Sequence, residues 1–168
     1  AAYFLARHGF DVALIDKATF PRDKTCGDAV SPRALHVLDE MGLLTEITSR
    51  SYRVNYLDLY APNGRVCVAE VPRMSGYPLY TVIVPRLLLD DMIRQCALSA
   101  GATFYHFDVT DPLRDGKRIT GVRGSREAVT AKFTIIATGA ATGLLGRAGF
   151  LKRKLTLMVA ARQYFENL

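Results

Sequence analysis

The feature that most constrains this chain is the segment DVALID, Asp11 to Asp16. Its centre is apolar, it ends on a carboxylate, and it follows a helix-forming stretch, Ala1 to His8, closed by Gly9 where a left-handed cap is wanted. A short apolar run of this kind is what a strand buried in a parallel sheet requires. The order helix, glycine turn, strand is the second half of a βαβ unit whose first strand would precede Ala1.

The residues that follow extend the pattern. After a loop from Ala18 to Val30, Ser31-Pro32 offers an N-cap with proline in the first turn, and a helix is expected from Pro32 to Met41, ending at Gly42. Tyr56 to Tyr60 and Arg65 to Val71 flank Pro62-Asn63-Gly64 and predict a β-hairpin. Tyr80 to Val84 reads as a strand. Arg86 to Ala100 reads as a helix with Leu88, Leu89, Met92, Ile93 and Cys96 on one face. Thr103 to Val109 is again strand-like. Turn signals at Asp115-Gly116 and Gly124-Ser125 then divide Thr110 to Lys132 into short strands, before the apolar run Phe133 to Ala137 enters Thr138-Gly139-Ala140.

The fold class expected is α/β, a Rossmann-like parallel sheet in which one crossover is a β-meander instead of a helix. The hairpin starts a second, antiparallel sheet. Met158 to Phe165 alternates and predicts a half-buried strand. The chain opens inside a helical pattern and stops inside a strand pattern, so both ends are expected to be truncations.

Composition excludes several classes. At 168 residues and 49% hydrophobic the chain can bury a core, and no apolar run approaches the length of a membrane span. The net charge of +6 is spread among interleaved acids, without the basic stripe and stacking aromatics that nucleic acid demands. Cys26, Cys67 and Cys96 are odd in number and lack a C-x-x-C pair, which argues against a disulfide framework or zinc site and for a reducing, cytoplasmic setting. Cys67 and Cys96 are expected in the core. The dispersed His8, His36 and His106 give no metal site.

Two strand ends carry candidate chemistry. Asp16 stands where a dinucleotide fold places the acceptor for ribose hydroxyls, and the glycine loop expected ~20 residues earlier would fall before Ala1. An ordinary strand-end aspartate capping its turn is the alternative. Thr138-Gly139 closes a second apolar strand, where the missing Cβ lets backbone approach a ligand; a plain strand-to-helix turn is the alternative there.

The succession ARHGFDVALIDKATFPRDKTCGDAVSPRALHVLDEMGL, VPRLLLDDMIRQCALSAGATF, FTIIATGA and VAARQYFE resembles the geranylgeranyl reductase family, within the FAD-dependent oxidoreductases related to aromatic-ring hydroxylases. The resemblance implies FAD as cofactor, with NAD(P)H or another reductant as electron donor. It implies cofactor contacts from Asp16, Lys17, Arg86, Val109, Thr138 and Gly139. Arg33, near the start of its helix, is a candidate to hold a phosphate or the flavin edge through its fork of donors, a plain surface arginine being the alternative. The resemblance also places Cys26 near the flavin ring as a candidate catalytic residue, and Arg162 and Tyr164 on the substrate side. Arg22 and Lys24 are close enough in sequence to lower a thiol pKa, and an unreactive half-buried Cys26 is the alternative.

The domains implied are a first part of the FAD-binding domain at 1–50, a hairpin insertion of the substrate sheet at 51–84, a second part of the FAD-binding domain at 85–150, and the start of the substrate domain at 151–168. The function implied is reduction of carbon–carbon double bonds of an isoprenoid, with an isoprenoid or other apolar small molecule as partner, no nucleic acid, and peripheral membrane contact left open. A flavin monooxygenase or hydroxylase and a non-catalytic remnant are the alternatives. The phosphate-binding glycine loop is outside the chain, so this piece alone is expected to hold FAD poorly.

Overall fold

The computed structural model describes residues 1–71, 73, 75–151, 155–156, 159 and 161–165. In chain order the elements are α1 (Ala2–Arg7), β1 (Ala13–Asp16), β2 (Ala29–Val30), α2 (Pro32–Glu40), α3 (Leu44–Ser49), β3 (Tyr52–Val54), β4 (Tyr56–Tyr60) and β5 (Val66–Glu70). They continue with β6 (Thr81–Ile83), α4 (Arg86–Ser99), β7 (Thr103–His106), β8 (Asp111–Asp115), β9 (Arg118–Arg123), β10 (Ala128–Thr130) and α5 (Gly143–Arg147). The chain divides into two compact units, one of residues 1–19 and 100–160 and the other of residues 20–99 and 161–168.

In the first unit β1 and β7 pair in parallel, from Ala13 opposite Thr103 to Asp16 opposite His106. The β-meander is present as the antiparallel sheet β10-β9-β8. A register irregularity between Leu113 and Arg114 places Leu113 opposite Gly121 but Arg114 opposite Ile119, so Thr120 is extra on its strand. The mixture of a parallel pair, an antiparallel meander and separate antiparallel sheets is the expected Rossmann-like architecture with an additional antiparallel sheet.

The second unit holds the principal core. Ser31 caps α2, its Oγ accepting from the Ala34 amide at 3.4 Å, and Pro32 occupies the first turn. Leu35 and Leu38 on α2 meet Ile47 of α3, Val82 and Val84 of the β6 segment, and Leu89 of α4. Leu35, Ile47, Val82 and Val84 are wholly excluded from solvent, each burial contributing ~1.5–3 kcal/mol. β2, β6 and β3 form one antiparallel sheet, and β4 and β5 form the expected hairpin as a sheet of its own.

Three expectations are corrected. Phe133 to Ala137 forms no ladder among the described residues, and Phe133 and Ile135 are 89% and 65% exposed. A strand needs a neighbour to take its amides and carbonyls, and hydrophobicity alone provides none. Cys67 is exposed on the hairpin, because among the described residues β4 and β5 pair only with each other and leave both faces uncovered; Cys96 is half-buried and donates weakly to the Met41 carbonyl. Of the strand expected over Met158 to Phe165, residues 161–165 are irregular and Met158 lies outside the described residues.

Candidate functional site

In the first unit, parallel pairing brings two carboxyl ends to one edge. Asp16 ends β1, where its Oδ1 accepts from the Ala18 amide at 2.9 Å and bends the chain out of the strand. His106 ends β7, with Nε2 at 2.9 Å from the carbonyl of Lys17. A carbonyl can only accept, so Nε2 carries the proton of that bond. Lys17 Nζ reaches Asp108 Oδ2 at 3.5 Å, and both side chains are well exposed, so this pair contributes at most ~1 kcal/mol. Val109, half-buried, continues the segment beyond β7.

Within the same unit Thr138 Oγ1 donates to the Ala141 carbonyl at 2.6 Å, and the Ala141 amide returns to the Thr138 carbonyl at 3.2 Å. Gly139 at the bend has φ 60°, a conformation open to glycine at little cost. Four residues upstream of the turn, Thr134 Oγ1 is buried without a hydrogen-bond partner. A polar edge beyond the carboxyl ends of parallel strands, with a half-buried carboxylate on it, suits the hydroxyl-rich half of a dinucleotide. Asp108 and His106 escaped the sequence reading, although the logic applied to Asp16 fits TFYHFD equally well.

The second unit gathers charge around the loop before β2. Asp90 on α4 accepts from Arg86 through Nε at 2.7 Å and Nη2 at 2.8 Å, and from Arg22 Nη1 at 2.8 Å. The Asp90 bond holds the Arg86 guanidinium above its ordinary pKa against the opposing effect of burial, and the Cys26 side chain adds to the rise. Cys26 itself is exposed, and so is Arg33 in the first turn of α2.

Arg162 packs into the same loop. Its Nη1 donates to the carbonyls of Lys24 at 3.0 Å and Cys26 at 3.2 Å and to Asp28 Oδ1 at 3.0 Å, while Nη2 donates to Asp23 Oδ2. The Tyr164 hydroxyl donates to Asp28 Oδ2. The Arg162 bond pulls the Asp23 carboxyl below its ordinary range, and the bond to Asp28 raises the Tyr164 phenol. Sequence reasoning singled out Cys26, Arg86, Arg162 and Tyr164, and the fold brings all of them to one loop. It missed Asp23, Asp28 and Asp90; the signal for Asp90 was the four-residue spacing from Arg86 on a helix.

A family model described as FAD binding domain matches residues 1–154. The chain is 44% identical over 102 residues to a menaquinone reductase of Mycobacterium tuberculosis, an alignment covering 61% of this chain and 24% of that protein. It is 28% identical over 158 residues to an FAD-dependent monooxygenase of Aspergillus terreus, covering 86% of this chain and 22% of that one. Among solved structures the flavin-dependent brominase Bmp2 superposes with a TM-score of 0.75 at 23% identity, over 89% of this chain and 37% of that one. The chain thus spans about a quarter or less of the length of these curated relatives.

These matches overturn the expectation of an isoprenoid double-bond reductase. They are described as menaquinone reductases, an FAD-dependent monooxygenase, and flavin-dependent halogenases and monooxygenases, and the resemblance to geranylgeranyl reductases therefore holds only at the level of the shared flavin-binding fold. Among the described residues, no helix is long and apolar enough to cross a membrane.

Proposed function

Since the chain belongs to the FAD-binding domain family, we propose that the protein carrying it is a flavin-dependent monooxygenase acting on an apolar organic substrate. The observation that carries this reading is the relative described as an FAD-dependent monooxygenase, which aligns with 86% of the chain. FAD, when bound, supplies the redox chemistry that links a nicotinamide donor to dioxygen.

The chain's own residues bind and orient. In the first unit the Asp16 carboxylate accepts from ribose hydroxyls, Lys17 flanks it, and the Val109 backbone meets the adenine. Thr138 and Gly139 supply a further dinucleotide contact. In the second unit Arg86, its charge fixed by Asp90, and Arg33 serve the flavin end. Cys26 serves as a polar group of the reaction site, with no nucleophilic step assigned to it.

Oxygen electrode measurements on the whole purified gene product test this. With NADPH or NADH and substrate present, uptake of one dioxygen per hydroxylated product supports the reading. Anaerobic turnover with an added quinone at the same rate would overturn it. That outcome belongs to a second reading, a quinone reductase, favoured by the 44% identity with the menaquinone reductase.

A further inference from the structure

We infer that Arg162 is a positioning residue that, with Tyr164, fastens the loop from Asp23 to Asp28 and so fixes where Cys26 stands. One guanidinium serves four acceptors in that loop: the carbonyls of Lys24 and Cys26 and the carboxylates of Asp23 and Asp28. These partners lie 134–139 residues away in sequence, so the contact is a tertiary fastening and not a local turn.

The geometry demands arginine. Its planar fork presents donors in two directions at once, and here Nη1 and Nη2 reach different carboxylates. A lysine ammonium is a single point and cannot span them. The Asp28 side chain is only 8% exposed and that of Arg162 17%, so the two charges compensate each other in a place where water reaches poorly. The Tyr164 hydroxyl takes the other Asp28 oxygen, and the Arg162 guanidinium lies 4.7 Å from the centre of the Tyr164 ring.

The loop is held at its other margins as well. Arg22, just before it, is tied to Asp90, and just after it the Val84 amide donates to the Asp28 carbonyl at 3.0 Å while Ala29 enters the β2–β6 ladder. Cys26 and Gly27 lie between these anchors, and the Arg162 bond to the Cys26 carbonyl fixes the backbone from which that residue's thiol projects. The fastening stands on contacts alone; its importance in turnover rests on the monooxygenase reading.

One readout on the whole protein tests the fastening without reference to turnover. The Lys24 carbonyl belongs to the Lys24–Thr25 bond that trypsin would cut, and cleavage there, followed by peptide mass spectrometry, requires the loop to leave its anchors. In Arg162→Gln this rate rises about tenfold or more, as loss of several charge-assisted bonds implies. Arg162→Lys does not restore protection, and Tyr164→Phe gives a smaller rise. Rates within about twofold of wild type in Arg162→Gln overturn the inference. Should that variant not fold, the same result in the milder double variant Asp23→Asn, Tyr164→Phe overturns it equally. Loss of protection with a lowered kcat and unchanged KM supports the full proposal, whereas loss of protection with unchanged kcat and KM leaves the fastening in place and overturns the loop's part in the reaction.

Discussion

Arg86 and Asp90 stand one helical turn apart on α4 and close a two-bond fork, Nε to Oδ1 at 2.7 Å and Nη2 to Oδ2 at 2.8 Å. The Asp90 side chain is 12% exposed and that of Arg86 17%, so neither charge is well hydrated and each depends on the other. Arg22 adds a third bond to the same carboxylate and thereby ties the loop to the helix.

Removing the carboxylate takes the two-bond fork from Arg86 and one bond from Arg22. Asp90→Ala is expected to cost about 3 kcal/mol, the scale for breaking a largely buried pair from one side. Arg22→Ala, which leaves the Arg86 fork intact, should cost about 1 kcal/mol. Urea denaturation midpoints check both, and equal losses for the two variants would refute the ordering.

Gly121 in β9 makes a sharper case. Its φ is 148°, and a Cβ there would stand 2.1 Å from the Val129 carbonyl oxygen and 2.8 Å from the Thr130 Cα. Both atoms belong to the backbone of the neighbouring segment, so no side chain can yield. Gly121→Ala should destabilise by about 3 kcal/mol or more through overpacking and strain, read as a lowered denaturation midpoint. Gly116→Ala, with positive φ but open space around the missing Cβ, should cost about 1 kcal/mol, within the range for strain alone.

Legibility in the sequence followed the range of the interactions. The β1 strand, the cap at Ser31, the α4 face and the hairpin were readable because period, cap and turn are local signals. β2 and β3 were not: Ala29–Val30 and Tyr52–Val54 are strands only because β6 lies between them and takes their hydrogen bonds. The converse holds for Phe133 to Ala137, a strand by composition that has no ladder among the described residues. At the site, Asp16 was visible from its place at a strand end, whereas Asp23 and Asp28 acquire their roles from Arg162, over a hundred residues away in sequence, which no local pattern announces.

Titration of Tyr164 tests the loop from another side. The bond to Asp28 raises its pKa above the ordinary 10.0, so the folded protein favours the protonated phenol. The stability this bond gives is therefore complete below pH 10 and lost as pH rises through the higher folded value. In a tyrosinate absorbance titration, the wild-type minus Tyr164→Phe difference should appear only above pH 10. A difference with its midpoint at or below pH 10 would contradict the hydrogen bond.

Asp16 admits two roles that substitution can separate. As a turn residue it needs only an oxygen for the Ala18 amide, and asparagine keeps one. As a ribose ligand it needs a second acceptor on the other oxygen, and asparagine puts an NH2 donor there instead. Asp16→Asn should therefore lower the denaturation midpoint less than Asp16→Ala does, while weakening FAD binding about tenfold or more, the scale of a charge-assisted hydrogen bond. Asp16→Ala should lose both the turn bond and the affinity. Flavin fluorescence titration of the whole protein reads the affinity. Wild-type FAD binding by Asp16→Asn would reduce Asp16 to the cap of its own turn, and would leave the adenosine end to be held by the backbone of Val109 and by the Thr138–Gly139 turn.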